Sequence, residues 1–268
     1  MASLMFSSHA TVFVEDPTYF LAIGILRDDI GLNIVPERSR QLIELARKFN
    51  VLLFADDVYN LLHYDDTCSH APPRLLAYDN KDDAEYKGHV ISNGSFSKIF
   101  APGIRLGWIE SGDRIIKLLK KSATVVSAGC FNQFTAEVIA TSLRLGLQQR
   151  HLHNLNSVYS TRVKSVAQKL RKNLPECVTF EVPRGGYFFW LQMPDGALAE
   201  KVAKDVYDLH KIRILPGNRC SPTGQCRNCI RISFAHYEEP VLLDAAQKLS
   251  DVITKHVAGI VANVEKTD

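Results

Sequence analysis

The chain reads as an α/β protein, a largely parallel sheet flanked by helices, followed by a smaller C-terminal α+β region. Three observations predict this. A helical pattern opening at Pro36 runs into the apolar stretch Val51-Leu-Leu-Phe-Ala55, the helix-then-buried-strand order of α/β sheets. A second apolar run, His89-Val-Ile91, ends in small polar residues. Beyond a long helical stretch from Gln148 to about Asn173, short strand patterns alternate with helices instead of forming long crossovers.

Composition sets the bounds. At 268 residues the chain can bury a full core, with one large and one smaller domain expected, over 1–150 and 151–268. Hydrophobic residues at 46% and charged residues at 23% suit a water-exposed globular protein. A net charge of +3 provides no basic field for nucleic acid or an anionic membrane, and no apolar run reaches the length of a membrane span. Six cysteines in a chain of this size do not form a disulfide framework, and residues 1–9 carry no signal or transit pattern, so the cytoplasm is the expected compartment.

In chain order, Thr11-Val-Phe-Val14 predicts a short buried strand, Glu15-Asp-Pro-Thr-Tyr19 a turn, and Tyr19 to Leu26 a helix. Pro36 fits a first helical turn, Glu37 sits at its positive end, and Leu42, Ile43, Leu45, Ala46 and Phe49 supply an apolar face. After the strand at 51–55 come Asp56-Asp57-Val58-Tyr59, at a strand C-terminus where α/β sheets bind ligands; an aspartate capping a helix is the competing reading. Residues 63–88 are polar and predict a surface connection with a short helix. Arg105 to Ile109 predicts a strand, Gly112-Asp-Arg a helix start, and Cys130 to Leu145 another helix. Strands are then expected at 178–182, 186–191, 212–215 and 230–234, with helices at 198–209 and 239–258.

The stretch that carries chemistry is Ser92-Asn-Gly-Ser-Phe-Ser-Lys98-Ile-Phe-Ala-Pro-Gly-Ile-Arg105-Leu-Gly-Trp108. Ser95 and Ser97 hydroxyls, backbone N–H groups and the planar fork of Arg105 suit an anion, and Lys98 can form a Schiff base with an aldehyde. A surface lysine and arginine flanking a turn are the plain alternative. Arg231, inside the apolar strand Ile230-Arg-Ile-Ser-Phe234, needs an anionic partner, either a buried protein carboxylate or a bound one.

The Ser-x-Ser-Lys run followed by Ala-Pro-Gly-Ile-Arg-Leu-Gly-Trp resembles the cofactor-lysine segment of the class I/II aminotransferases, the pyridoxal-phosphate enzymes of fold type I. The resemblance implies that Lys98 is the Schiff-base lysine and that Arg105, seven residues on, binds the cofactor phosphate together with Ser95 and Ser97. It also implies that Asp56 pairs with the protonated ring nitrogen, Tyr59 donates to the ring phenolate oxygen, and Arg231 clamps the substrate α-carboxylate. Pyridoxal 5′-phosphate is the implied cofactor, α-amino acids and 2-oxo acids are the implied substrates, and transamination is the implied reaction. A homodimer, or a dimer with a full-length relative, is the implied assembly; 2-aminoadipate and aromatic aminotransferases are the relatives it most resembles.

The chain departs from the family in two places. Family members carry a longer region before the segment matching Thr11, including part of the phosphate cup and a residue that stacks on the ring. Inside the chain, Gly31-Leu-Asn-Ile34 passes straight to Val35-Pro36, and the family's Asn-Pro-x-Gly motif is absent, with a central strand expected to be missing. A non-catalytic partner subunit or pseudoenzyme is therefore the alternative function. A cofactor-sensing transcription factor would need an attached DNA-binding domain, and no basic helix-turn-helix segment is visible in this sequence; a lyase or decarboxylase on the same scaffold stays open. Cys220, Cys226 and Cys229 suggest zinc only weakly, because a second Cys-x-x-Cys or His pair is missing, so no metal is expected. His151 and His153 are expected on a solvated helix face.

Overall fold

The computed structural model describes residues 36–64, 70–122, 126 and 132–264. The expected strand at 11–14, the helix at 19–26 and the start of the helix placed at Cys130 lie outside these. The described residues divide into two compact units, with the boundary between Asn156 and Ser157.

The first unit opens with α1 (Pro36–Phe49). Asn50, in the left-handed region at φ 53°, closes this helix by directing the Val51 N–H to the Ala46 carbonyl at 2.8 Å. That use of Val51 delays β1 (Leu53–Asp56), which therefore starts two residues later than the apolar run suggests. Only Leu53 of β1 is buried, so the strand is not the fully enclosed one expected. A 3₁₀ turn at Leu75–Tyr78 follows in the polar connection.

Next come β2 (Val90–Ser95), the short α2 (Phe96–Ile99), a 3₁₀ turn at Pro102–Ile104 and β3 (Gly107–Ser111). The sheet order is β1-β2-β3. β1 and β2 are parallel, with Leu53 opposite Val90 and Asp56 opposite Asn93. β3 returns antiparallel, because the segment between β2 and β3 is too short for a crossover. The core here joins Ile43 and Ala46 of α1 to Leu53 and Val90, with Leu75 and Leu76 packed against them.

A buried ion pair ties these elements together. Arg47 Nη2 donates to Asp79 Oδ1 at 2.8 Å, with side-chain exposures of 8% and 1%. The other Asp79 oxygen accepts the N–H groups of His89 at 3.1 Å and Val90 at 3.4 Å, fixing the start of β2.

The unit continues with α3 (Asp113–Lys120) and α4 (Gln133–Arg144). The 27-residue α5 (Leu147–Asn173) contains the boundary. On its first-unit part, Gln148 Nε2 donates to the Ile99 carbonyl at 2.8 Å and Asn156 Nδ2 to the Leu61 carbonyl at 3.1 Å. His153 is exposed as expected, but His151 is half-buried with its ring edge-on to Phe100 at 5.9 Å.

The second unit holds a four-stranded antiparallel sheet in the order β4-β5-β7-β6, formed by β4 (Thr179–Phe180), β5 (Phe188–Gln192), β6 (Leu215–Pro216) and β7 (Cys229–Ser233). It also contains α6 (Ala199–His210) and α7 (Glu239–Val264). The expected strand at 212–215 is reduced to its last residue plus Pro216. Ile212 and Ile214 are half-buried but lie outside the ladder, so apolar alternation reported burial there and not pairing. Fully buried Phe189, Leu191, Ile230, Phe234, Val202 and Ile253 form the interior, and Phe189 and Phe234 meet edge-on at 5.5 Å. Among the described residues, no helix is long and apolar enough to cross a membrane.

Candidate active site

Parallel pairing brings the ends of β1 and β2 side by side, and the residues singled out in the first unit gather there. Asp56 ends β1 and Tyr59 follows in the turn, where the Leu62 N–H closes on the Tyr59 carbonyl at 2.9 Å. The adjacent aspartates therefore cap no helix. Asp56 Oδ1 accepts from Asn93 Nδ2 at 2.7 Å, a contact set by their register across the ladder.

Asp56 presents surface to solvent, yet the protein packed around it is enough to push its carboxyl above the ordinary range. The Asn93 amide and the positive charge of Lys98 oppose that rise. Both favour the carboxylate form.

Lys98 lies in α2, immediately beyond β2, with its Nζ 5.7 Å from the centre of the Tyr59 ring. Ser95 caps α2, its Oγ accepting the Ser97 N–H at 3.1 Å. Ser97 Oγ accepts from Arg105 Nη1 at 3.0 Å. These bonds use acceptor lone pairs of the two serines, so each hydroxyl still has its O–H to donate toward an anion. Arg105 stands in the left-handed region at φ 53°, ψ 39°. Asn132 holds this bend, its Nδ2 donating to the carbonyls of Ile104 at 2.9 Å and Arg105 at 3.2 Å.

A second polar chain lies alongside. Ser92 is fully buried and donates to Asp57 Oδ2 at 2.6 Å, while Arg74 Nη1 donates to Ser92 Oγ at 3.1 Å. Arg74 also grips Glu110 with both Nη atoms at 2.6 and 2.8 Å, and Trp108 Nε1 donates to the same carboxylate at 2.8 Å. The Arg74 guanidinium is the main reason the Glu110 carboxyl falls below its usual range. Asp57 moves the other way: burial raises its carboxyl, against the Ser92 hydrogen bond and the charge of Arg74.

Asn93, Asn132 and the Ser92–Arg74–Glu110 chain were not singled out from the sequence. Asn93 was recoverable: sliding Leu53-Phe54 against Val90-Ile91 as parallel partners puts Asp56 opposite it. Arg74 and Asn132 come from distant turns and carry no local signal.

Arg231 belongs to the second unit, in the middle of β7 opposite Trp190 on β5 and Leu215 on β6. Its guanidinium carbon stacks 4.2 Å from the centre of the Phe188 ring. A flat guanidinium against an aromatic face keeps its fork oriented for a planar carboxylate. Among the described residues, no group of three or more His, Cys, Asp or Glu side chains is arranged to hold a metal ion.

The structure thus gathers Asp56, Tyr59, Ser95, Ser97, Lys98 and Arg105 about the ends of β1 and β2, and comparison with known proteins addresses the family of the whole chain. The sequence pattern described as aminotransferase class I and II matches residues 28–249, and the chain belongs to that family. The uncharacterised protein YER152C of Saccharomyces cerevisiae is 30% identical over 213 residues, covering 75% of this chain and 48% of that protein. Aromatic-amino-acid aminotransferase 1 of Thermococcus litoralis is 26% identical over 241 residues, covering 88% of this chain and 54% of the relative. The chain thus spans about half the length of these relatives. Among solved structures, the multiple substrate aminotransferase of Thermococcus profundus superposes with a TM-score of 0.83 at 20% identity, over 95% of this chain and 72% of that one. The fold is that of the fold type I pyridoxal-phosphate aminotransferases.

Proposed function

We propose that the chain acts as a pyridoxal-phosphate-dependent aminotransferase, exchanging an amino group between an α-amino acid and a 2-oxo acid. The observation that carries this reading is the grouping of Asp56, Tyr59, Lys98, Ser95, Ser97 and Arg105 around the ends of two parallel strands. The donor set fits the cofactor: serine O–H groups and an arginine fork for a phosphate, a carboxylate for a protonated ring nitrogen, and a phenol for a phenolate oxygen.

Residues 1–150 form the cofactor domain in this reading, and 151–268 the linking helix and small domain. Bound cofactor supplies an electron sink for the pair left on the substrate Cα. Asp56 must be ionised to keep the ring nitrogen protonated, and Asn93 favours that form. Lys98 would hold the cofactor through its amine, and its Nζ would serve as the base that moves the substrate Cα proton. Arg231 grips the α-carboxylate and so fixes which Cα bond breaks. A cytoplasmic dimer, with itself or with a full-length relative, completes the proposal. The aromatic-amino-acid aminotransferase relative favours an aromatic donor.

The test is cofactor attachment. The full chain is loaded with pyridoxal phosphate, reduced with borohydride and mapped by peptide mass spectrometry, with Lys98→Ala as the control. A stoichiometric adduct on Lys98 alone is the expected result. Scattered labelling, or an equal level in Lys98→Ala, refutes the reading and favours the non-catalytic partner. The missing Asn-Pro-x-Gly motif is what supports that second reading.

A further inference from the structure

Three cysteines crowd into one corner of the second unit. Cys220 ends the 3₁₀ turn at Gly217–Cys220, Cys226 lies in the next turn, and Cys229 is the first residue of β7. All three are thiols. Cys220 and Cys229 are buried at 2% and 5% exposure, and Cys226 is half-buried, so it gives the cluster its access to solvent.

The backbone already holds the last two together. The Cys229 N–H donates to the Cys226 carbonyl at 3.0 Å, closing a four-residue turn. Such a turn keeps its end Cα atoms within roughly 7 Å, overlapping the ~4.4–6.8 Å that a disulfide spans. Cys226 sits in the left-handed region at φ 57°. Gly217 presses on the turn from the other side: a β-carbon there would come within 2.6 Å of the Cys226 carbonyl and 2.7 Å of the Cys229 Cβ.

Their surroundings sort the chemistry. Burial, followed by the neighbouring Cys226, pushes the Cys229 thiol up to about 11. Burial likewise raises Cys220, against the charge of Arg231. Cys220 and Cys229 thus stay protonated at neutral pH, and half-buried Cys226 is the position an oxidant reaches first. The cluster is not arranged as a metal centre.

We propose that Cys226 and Cys229 form an oxidation site that closes to an intrachain disulfide on exposure to a hydroperoxide. The Cys226 sulfur attacks one peroxide oxygen and the O–O bond breaks. The departing oxygen takes up a proton as water or alcohol, leaving a sulfenic acid. The Cys229 sulfur then attacks the Cys226 sulfur and displaces the hydroxyl, which leaves as water with the Cys229 proton. Two thiols and one hydroperoxide give one disulfide, one alcohol (or water) and one water. Two electrons pass to the peroxide, and a dithiol reverses the change.

The bond ties down the first residue of the strand that carries Arg231. Cys229 and Arg231, two apart on β7, share a face of the sheet. Only the consequence for substrate binding rests on the function proposed above; the disulfide itself does not.

The experiment treats the full chain with hydrogen peroxide, alkylates the remaining thiols, and digests with trypsin without reduction. Cleavage after Arg219, Arg227 and Arg231 turns the disulfide into a crosslink between peptides 220–227 and 228–231. The crosslink is expected in the wild type and in Cys220→Ser, absent in Cys226→Ser, and reversed by dithiothreitol, while exposed Cys177 is recovered alkylated. A crosslink surviving in Cys226→Ser overturns the proposal. So does full alkylation of both cysteines at a peroxide dose that oxidises glutathione. Neither readout involves Lys98 or a bound cofactor.

Discussion

Replacing Asp79 with alanine isolates the contact that holds the start of β2. Asp79 is 1% exposed and faces an Arg47 side chain that is 8% exposed, so the variant leaves a buried guanidinium short of one partner. Breaking a buried pair from one side costs about 3–5 kcal/mol. Asp83, 43% exposed and 2.7 Å from Arg47 Nη1, stays in place and offsets part of this, which puts the loss near the lower end, about 3 kcal/mol. The His89 N–H also loses its acceptor, adding about 1 kcal/mol. A total near 4 kcal/mol lowers the melting temperature by about 8–16 °C.

The assay is thermal unfolding followed by tryptophan fluorescence. The chain has two tryptophans, one in each unit, so a Trp190→Phe background leaves Trp108 reporting on the first unit alone. Asp83→Ala, removing the exposed partner, should cost about 0–1 kcal/mol. The double replacement Arg47→Met, Asp79→Leu should recover part of the loss, because no charge is stranded. Equal melting of Asp79→Ala and Asp83→Ala, or no recovery in the double variant, would refute the argument.

Further outcomes test the site and its supports. Gly94→Ala drives a β-carbon to 2.2 Å from the Trp108 indole, which Glu110 tethers, so about 1–3 kcal/mol of stability and most Lys98 labelling should be lost; a wild-type melt would contradict this. Burial, followed by the charge of Arg114, lowers the His89 imidazole, so below pH 6.5 the unfolded chain binds a proton that the folded chain resists. Stability therefore falls as the pH drops, and His89→Leu should flatten the difference in urea midpoint between pH 7.5 and 5.5. Asn93→Leu removes a donor that holds the Asp56 carboxyl down, so acid loss of cofactor absorbance should shift to higher pH. Arg231→Lys keeps a charge without the fork and should raise KM for the amino acid roughly tenfold, while Arg231→Ala raises it roughly a hundredfold; equal effects would separate Arg231 from carboxylate binding.

The parts of the site legible in the sequence were those carried by consecutive residues. Lys98, Ser95, Ser97 and Arg105 sit on one strand, one short helix and one turn, so their spacing survives folding with little outside influence. Asp56 and Tyr59 were legible because an apolar run ended just before them. What the sequence hid depends on register and on distant turns: Asn93 meets Asp56 only because β1 and β2 run parallel in one alignment, and Arg74 reaches Ser92 and Glu110 from a loop. Helix ends came through within a few residues where proline or glycine marked them, as at Pro36 and Gly112. Strand ends came through less well, because apolar character and ladder pairing part company at places such as exposed Val51 and half-buried Ile214.

Arg105 sets local backbone preference against the group it carries. An L-residue with a β-carbon is disfavoured by about 1 kcal/mol or more in the left-handed region that Arg105 occupies, while glycine enters it freely. By folding criteria alone, glycine is the better residue there. A stabilisation screen scored on melting temperature would therefore select against this arginine, enriching variants that fold more firmly while shedding the guanidinium that meets Ser97.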